Sequence, residues 1–550
     1  MIRLAPPLVA AITLGTVATG CYDLEITNPN SPTSSAAYAN PDAVETMIGD
    51  SFRRWYTTAQ TEAAGEFGRL LSTASFQHSS PACAPSFYST IPRTALPGPG
   101  EAYYWDDDAP WYGWNDALVQ VALALRVLDE NAQLRDEMAE AEIDRLRAFG
   151  RFVQGLGHGS LALLYDRAAI VDENTLDVHE DRLLEHRELM ERALRYLYEA
   201  AERSAGAEWP AIPAEWMSVE VSPDQLARLA HSFAARFRAG VARLPHHRST
   251  ADWDAVIADV DAGINETWTI HLDWSSWFNA ALYYSSLPQW SLETYFIIGM
   301  ADQSGDYQRW LLQDIRERIP NPVSNGDGTE DPVLIVTPDT RFPQGATLAE
   351  QEANPGSLYV IPNGLEGQIG GEDRAWDIRT MWYRPERGTW RWSYYWSVET
   401  EPYWRQVDGQ WPEISMAEMR LLKAEGLLRK GQLPEAAGLI NMSRTAAGLS
   451  PTDGAGTNTD CVPRLPDGTC GDLMEMLKWE KRLETRMKGL FNAPWYFDAR
   501  GWGDLYAGTF LQAPVPCEEL ILLNEPCITF GGVGGQSASP GSSYSWFDEN

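Results

Sequence analysis

Apolar residues recur at three- and four-residue spacing over long stretches of this chain, and that period limits its fold more than any other feature. The clearest instance is Ile414, Ala417, Leu421, Ala424 and Leu428. This 3-4-3-4 stripe places side chains on one face of an α-helix. Ser415 followed by Glu418 forms a capping box that starts the helix. Gly431 ends it, and Pro434 stands where a first helical turn tolerates proline. A second helix then runs to Gly448-Leu449, a Schellman-like stop, with the small residues Ala436 and Ala437 facing its partner.

The same period marks residues 42–56, 111–131, 139–166, 182–202, 223–244 and 253–264. A third C-terminal helix starts at Asp472, capped with Glu475, and reaches about residue 488. These segments predict a mainly α fold, a tetratricopeptide-like scaffold of helical pairs forming an α-α superhelix. The strict repeat signature is absent, so the units are repeat-like. Residues 265–410 break the pattern with Pro/Gly/Asp loops at 321–332 and 354–373. The aromatic-rich stretch 376–396 suits a hairpin or two better than a helix. So long an irregular, partly β insertion is more often functional than incidental. The expected division is a leader at 1–20, a tether at 21–41, an N-terminal helical scaffold at 42–264 and the irregular region at 265–410. A C-terminal scaffold with closing loops follows at 411–530, then a Gly/Ser-rich flexible tail at 531–550.

The leader carries Arg3, an apolar run from Leu8 to Val17, then Ala18-Thr19-Gly20-Cys21. A charged start, a short apolar core and small residues before the cut describe a secretory signal. The run falls short of the ~20 residues a membrane span needs. Cysteine directly after the small residues resembles a bacterial lipobox, which makes Cys21 the lipidated N-terminus, although Ala18 stands where lipoboxes prefer Leu. Net charge is −34, which repels phosphate backbones and excludes nucleic acid as an expected partner. In an exported chain, Cys461 with Cys470 and Cys517 with Cys527, each pair in a Pro/Gly-rich loop, are expected disulfides. Cys83 is then left over.

Catalytic and metal signatures fail in turn. His179-Glu180 is followed by Leu183 where a zincin needs His, and Gly155, Gly157 and Gly159 lead to Ser160 rather than a dinucleotide loop. No G-x-S-x-G elbow occurs. His246-His247 reads as a surface turn. Asp327, Thr329, Glu330 and Asp331, like Asp106-Asp107-Asp108, read as solvated loops rather than Ca²⁺ ligands. Glu480 and Glu484 share a helix face and read as structural rather than as a catalytic pair. No enzyme activity, metal or cofactor is expected.

Aromatics are the compositional anomaly, with 23 Trp and 22 Tyr, amphipathic rings suited to interfaces and ligand platforms. Two clusters stand out. Tyr103, Tyr104, Trp105, Trp111, Tyr112 and Trp114 crowd the entry to a helix, interleaved with Asp106 to Asp108 and Asn115. Trp274, Trp277, Tyr283, Tyr284 and Trp290 open the irregular region. Ring faces beside carboxylates and amides are what a sugar-binding site requires. Tyr104, Trp105, Trp111, Tyr112, Trp114 and Asn115, together with the second cluster, are the candidate ligand contacts.

Several segments in order resemble the SusD/RagB family. They are Leu24 to Asn30, Arg147 to Tyr165, Ile414 to Glu425 (ISMAEMRLLKAE), Ile440 to Arg444 with Ala447-Gly448-Leu449, Glu480 to Gly489 with Trp495 to Gly503, and Pro514 to Asn524. Lys488 departs from the family's Glu, Leu490 to Pro494 looks inserted, and residues 265–410 match no familiar pattern. Within these motifs Glu425, Glu480, Arg482, Glu484, Asp498 and Arg500 are expected to pair with one another and with helix ends. The resemblance implies a lipid-anchored outer-membrane protein facing the cell exterior. It would capture an oligomeric nutrient, a glycan, for a SusC-like TonB-dependent transporter. The RagB branch makes an oligopeptide the alternative ligand, and a surface glycoside hydrolase is a more distant one.

Overall fold

A computed structural model describes residues 40–60, 68, 70–78, 109–176, 183–286, 291–313, 333–369, 372–377, 393–406, 408–489, 494–528 and 531–539. The longer helices are α1 (Pro41–Gln60), α2 (Ala109–Glu130), α3 (Glu140–Leu164), α4 (His186–Ser204), α5 (Pro223–Gly240), α6 (Trp253–Ala262), α7 (Met416–Arg429), α8 (Leu433–Ala446), α9 (Leu473–Glu484) and α10 (Pro494–Trp502). The strands are short: β1 (Arg167–Ala168), β2 (Leu184–Glu185), β3 (Trp268–Leu272), β4 (Tyr359–Val360), β5 (Asn363–Ile369), β6 (Glu372–Asp377), β7 (Trp396–Ser397) and β8 (Gly409–Ile414).

Local sequence sets the helix ends. Gly431 and Gly448 both have positive φ, 78° and 76°. After each, the next residue's N–H returns to a carbonyl of the last turn: Gln432 to Leu427 (2.9 Å) and Leu449 to Arg444 (3.0 Å). Two Schellman stops therefore bracket α8. Asp472 caps α9 through the Glu475 N–H (2.9 Å). Ser415 caps α7 through the Glu418 N–H (3.0 Å), but the expected box is only half formed. The Glu418 carboxylate turns away to accept from Arg236 Nε and Nη2, both at 2.7 Å. A buried guanidinium outcompetes a backbone N–H for it.

Each helix packs on the next, α3 on α4, α4 on α5, α5 on α6, α6 on α7, and α7 on both α8 and α9. This gives the mainly α, helical-pair superhelix that the periodicity predicts. The alternating glycines of α3 have a packing reason. A Cβ at Gly155, Gly157 or Gly159 would lie 2.6 Å from Leu197, 2.7 Å from Leu118 and 2.1 Å from Phe237. Three neighbouring helices thus close on α3 at van der Waals distance, an approach only glycine permits.

The region 265–410 starts and finishes on one two-stranded sheet, because β3 pairs antiparallel with β8, with Ile270 opposite Trp411. Within it β4 pairs with β7, and β5 with β6. Trp376 and Trp396, the ends of the stretch expected to form a hairpin or two, pair with different strands, Trp376 opposite Leu365 and Trp396 opposite Val360. Residues 378–392 between them lie outside the described residues. Short helices such as Ala280–Ser286 and Leu348–Ala353 supply the rest. At the chain's far end the Val533 N–H donates to Asp166 Oδ2 (2.8 Å), and the Ala538 N–H to the Thr509 carbonyl (2.8 Å).

The six ions singled out in the family motifs do not pair with one another, and all but the half-buried Glu484 are buried. Glu425 takes Arg248 (2.6 Å) and Arg429 (2.9 Å), while Asp498 takes Arg248 and Lys481 (both 2.8 Å). Glu480 takes Arg341 (2.7 Å) and Arg482 takes Asp504 (2.5 Å). Glu484 lies 3.9 Å from Arg420. Arg500 does meet helix ends, donating to the carbonyls of Leu163 (3.0 Å) and Gly240 (2.8 Å). Those are carbonyls that the last turns of α3 and α5 leave unpaired. Residues spaced along one or two helices point at different neighbours, so each ion binds the element packed over it.

Candidate functional site

Both aromatic clusters meet the second half of α1. Trp114 is fully buried and its indole N–H donates to the Trp55 carbonyl (3.2 Å). Trp277 is 6% exposed, with its ring centroid 5.5 Å from that of Tyr56. Trp111 is also 6% exposed and packs edge-on against Tyr165, 5.0 Å between centroids. These three candidates are corrected by the structure. Their faces are covered by α1 and by the end of α3, which leaves no ring surface for a ligand to stack on. Asn115 is half-buried and gives its amide N–H to the Trp111 carbonyl (3.0 Å). Tyr112 keeps an exposed face. Tyr104 and Trp105, with Tyr103 and Asp106 to Asp108, lie outside the described residues. So do Trp290, the side chain of Tyr284, Cys21, Cys83 and the loop 327–331.

The second cluster presents a platform. Trp274 is 59% exposed, the largest exposure of any described tryptophan. One face of its indole lies on Phe278, 5.0 Å between centroids and 16° from parallel, and its edge meets Tyr283 at 5.1 Å. Phe278 and Tyr283 are themselves in contact at 5.9 Å. A ring backed on one face and braced at its edge is held rigid, with the other face left to solvent.

The turn that sets this orientation is local. β3 ends at Leu272, and Asp273 Oδ1 accepts from the backbone N–H groups of Ser275 (2.6 Å), Ser276 (2.7 Å) and Trp277 (3.3 Å), and from the Ser275 hydroxyl (2.9 Å). This Asx turn throws Trp274 outward and Trp277 inward. Slight burial raises the Asp273 carboxyl pKa, but those hydrogen bonds outweigh it and hold the group below its ordinary value. Asp273 therefore stays ionised and bound to its own turn. Burial raises the Tyr283 phenol above its usual range, so it remains a neutral donor. Reading the clusters by ring content alone missed Phe278 and Asp273. An aspartate followed by two serines after an apolar strand is the signal that would have found the turn.

Other candidate chemistry is accounted for. Glu480 is fully buried against Arg341, and Glu484 points to a different neighbour. His246 and His247 meet edge to face, 4.1 Å between ring centroids, on the exposed short helix Pro245–Ser249. Burial, reinforced by Arg187, His246 and Arg243, lowers the pKa of His247 to about 4. Among the described residues no group of three or more His, Cys, Asp or Glu could hold a metal ion, and no helix is long and apolar enough to cross a membrane. Cys461–Cys470 and Cys517–Cys527 are disulfides, as the sequence predicts.

No protein-family model matches the chain, and no curated protein matches it in sequence. Solved structures do match. A SusD superfamily protein from Parabacteroides distasonis is 11% identical, with 88% of this chain and 98% of that one covered and a TM-score of 0.56. One from Bacteroides fragilis is 13% identical, covering 89% and 99%, with a TM-score of 0.50. One from Bacteroides vulgatus is 12% identical, covering 85% and 89%, also with a TM-score of 0.50. Identities this low speak for architecture alone, and in architecture the chain has the fold of the SusD superfamily.

Proposed function

We propose that the chain is a non-enzymatic, lipid-anchored binding protein of the outer membrane. It would capture an oligosaccharide at the cell surface for import through a SusC-like TonB-dependent transporter. The observation that carries this reading is the exposed Trp274 ring, held rigid on Phe278 and Tyr283. Sugar rings offer C–H faces that stack on an indole, and a rigid aromatic loses little entropy on binding. The SusD-superfamily fold and the lipobox at Cys21 support the cell-surface setting. Affinity would come from stacking and a few hydrogen bonds.

Calorimetric titration with soluble glucans, xylans and mannans tests the proposal. Trp274→Ala should weaken binding by about 1–3 kcal/mol, the scale of a hot-spot aromatic. It should leave the melting temperature near wild type, since the ring is mostly exposed. Trp114→Ala is the contrast, costing about 3–5 kcal/mol of stability as a fully buried ring. Binding of oligopeptides but of no glycan would move the reading to the RagB-like alternative. Release of shortened products from a bound glycan would refute a non-enzymatic role.

A further inference from the structure

β3 delivers Trp274 at one end and borders an open cavity at the other. This cavity, about 320 Å³, lies between the start of α5, residues 219–221 and the β3–β8 pair. Its wall carries Glu220, Arg228, Asn265, Glu266, Trp268 and Gln410. Glu220, Asn265 and Glu266 are exposed, and no described residue hydrogen-bonds to their side chains. Arg228 gives one N–H to the Gly263 carbonyl (3.1 Å), which leaves the rest of its five-donor fork available. The indole N–H of Trp268 is buried and has no acceptor among the described residues.

A polar ladder leads from this cavity toward Trp274. The Gln410 carbonyl accepts from the Thr269 hydroxyl, and its amide nitrogen lies 3.2 Å from His271 Nδ1. His271 Nε2 in turn lies 3.2 Å from Asp408 Oδ1, with both side chains exposed. β3 is an extended strand, so Trp268 and Leu272, beside the turn that carries Trp274, lie about 13 Å apart. That is longer than one sugar ring, whereas an oligomer of several units spans it.

We propose that the cavity is a second contact site for the same ligand. A neutral, polyhydroxylated oligomer stacked on Trp274 would run along the β3–β8 face and place a further unit among Glu220, Arg228, Asn265 and Glu266. The inference rests on the reading of Trp274 as an oligosaccharide platform. Carboxylate acceptors alternate here with amide and guanidinium donors, a pattern that matches hydroxyl groups, which both donate and accept. A net charge of −34 disfavours an anion. Both carboxylates are solvated, so they hold a cation only weakly. Linking two modest contacts through one chain raises affinity with ligand length, because the second contact forms at high effective concentration.

The test uses glucan, xylan and mannan oligosaccharides graded in length, titrated against wild type, Trp274→Ala and the double variant Asn265→Ala/Glu266→Ala. Both positions of the double variant are exposed in the loop between α6 and β3, and its fold is checked by circular dichroism. Wild-type affinity should rise with length. The double variant should bind the shortest ligand like wild type and the longest about tenfold more weakly, equivalent to about 1.4 kcal/mol. Trp274→Ala should weaken every length. Length-dependent binding that the double variant leaves intact overturns the second site while the Trp274 reading stands. No binding of any neutral oligosaccharide to wild type overturns both. Loss of oligopeptide binding in the double variant, with oligosaccharide binding unaffected, overturns the proposed ligand class.

Discussion

Glu425 offers the sharpest test of how this scaffold is held together. Its carboxylate is fully buried and receives Arg248 Nε (2.9 Å) and Nη2 (2.6 Å), Arg429 Nε (3.0 Å) and Nη2 (2.9 Å), and the Trp502 indole N–H (3.0 Å). α7, α10 and the short helix Pro245–Ser249 therefore meet at one side chain. In Glu425→Gln, Oε1 can stay in place and keep the Arg429 and Trp502 bonds. The new amide donor then faces Arg248 Nη2, turning a charge-assisted bond into a donor–donor contact. Removing one partner of a buried ion pair costs about 3–5 kcal/mol. Arg248 retains Asp498 (2.8 Å) and the Ala239 carbonyl (2.8 Å), so the lower end, about 3 kcal/mol, is expected. For a chain of this length, unfolding entropy makes that about 3 °C in melting temperature. Urea unfolding is the finer assay, read as a shift in midpoint at unchanged slope. Glu484→Gln, at a half-exposed pair 3.9 Å long, is the control and should cost less than about 1 kcal/mol. Burial opposes ionisation of Glu425, but Arg248 and Arg429 outweigh it and hold the folded pKa well below the ordinary carboxyl value of 4.5. The stabilisation is thus present above pH 4.5 and is lost as pH falls toward the folded pKa. The gap between wild type and Glu425→Gln should narrow in that range. A variant within about 0.5 kcal/mol of wild type at neutral pH would refute the reasoning.

Three further outcomes are expected. His158 is buried, with Nδ1 against the Gln154 carbonyl (2.7 Å) and Nε2 accepting from the Val171 N–H (3.0 Å), and burial lowers its pKa from 6.5 to about 4. The unfolded chain takes up the proton first, so stability should fall by about 3 kcal/mol from pH 6.5 to 4. His158→Gln should flatten that part of the urea-midpoint profile, and an unchanged profile counts against the assignment. Cys21→Ala should move the protein from the detergent phase to the aqueous phase on partitioning, and equal partitioning would remove the lipid anchor. Replacing Cys517 and Cys527 by serine opens a link across 10 residues. It should cost about 3 kcal/mol by loop entropy, read by urea unfolding, with helical circular dichroism retained at 25 °C.

Legibility in the sequence followed the range of the interaction. Gly431, Gly448, Ser415 and Asp472 mark helix ends because each acts on backbone groups within five residues. The cysteine pairs close because nine or ten residues separate them. Capping becomes unreliable where a distant charge intervenes, as when Arg236 draws Glu418 out of its box. The candidate site was legible only as a composition, since Trp111, Trp114, Trp274 and Trp277 have the same chemistry and similar surroundings in sequence.

The sequence alone determined the helical period, the stops and caps, the disulfide pairs and an acidic surface, all of which are summed over short stretches of chain. Only the tertiary structure decided which rings face water. Trp114 is sealed by the Trp55 carbonyl 59 residues away, and Trp277 by Phe52 and Tyr56 of α1. Trp274 stays exposed because the Asp273 turn lifts it off the same surface. It likewise decided that Arg248, 177 residues away in sequence, shares Glu425 with its helix neighbour Arg429. An amphipathic ring or a buried ion is stable in either setting if its polar atoms are satisfied, so its place depends on which helix packs over it.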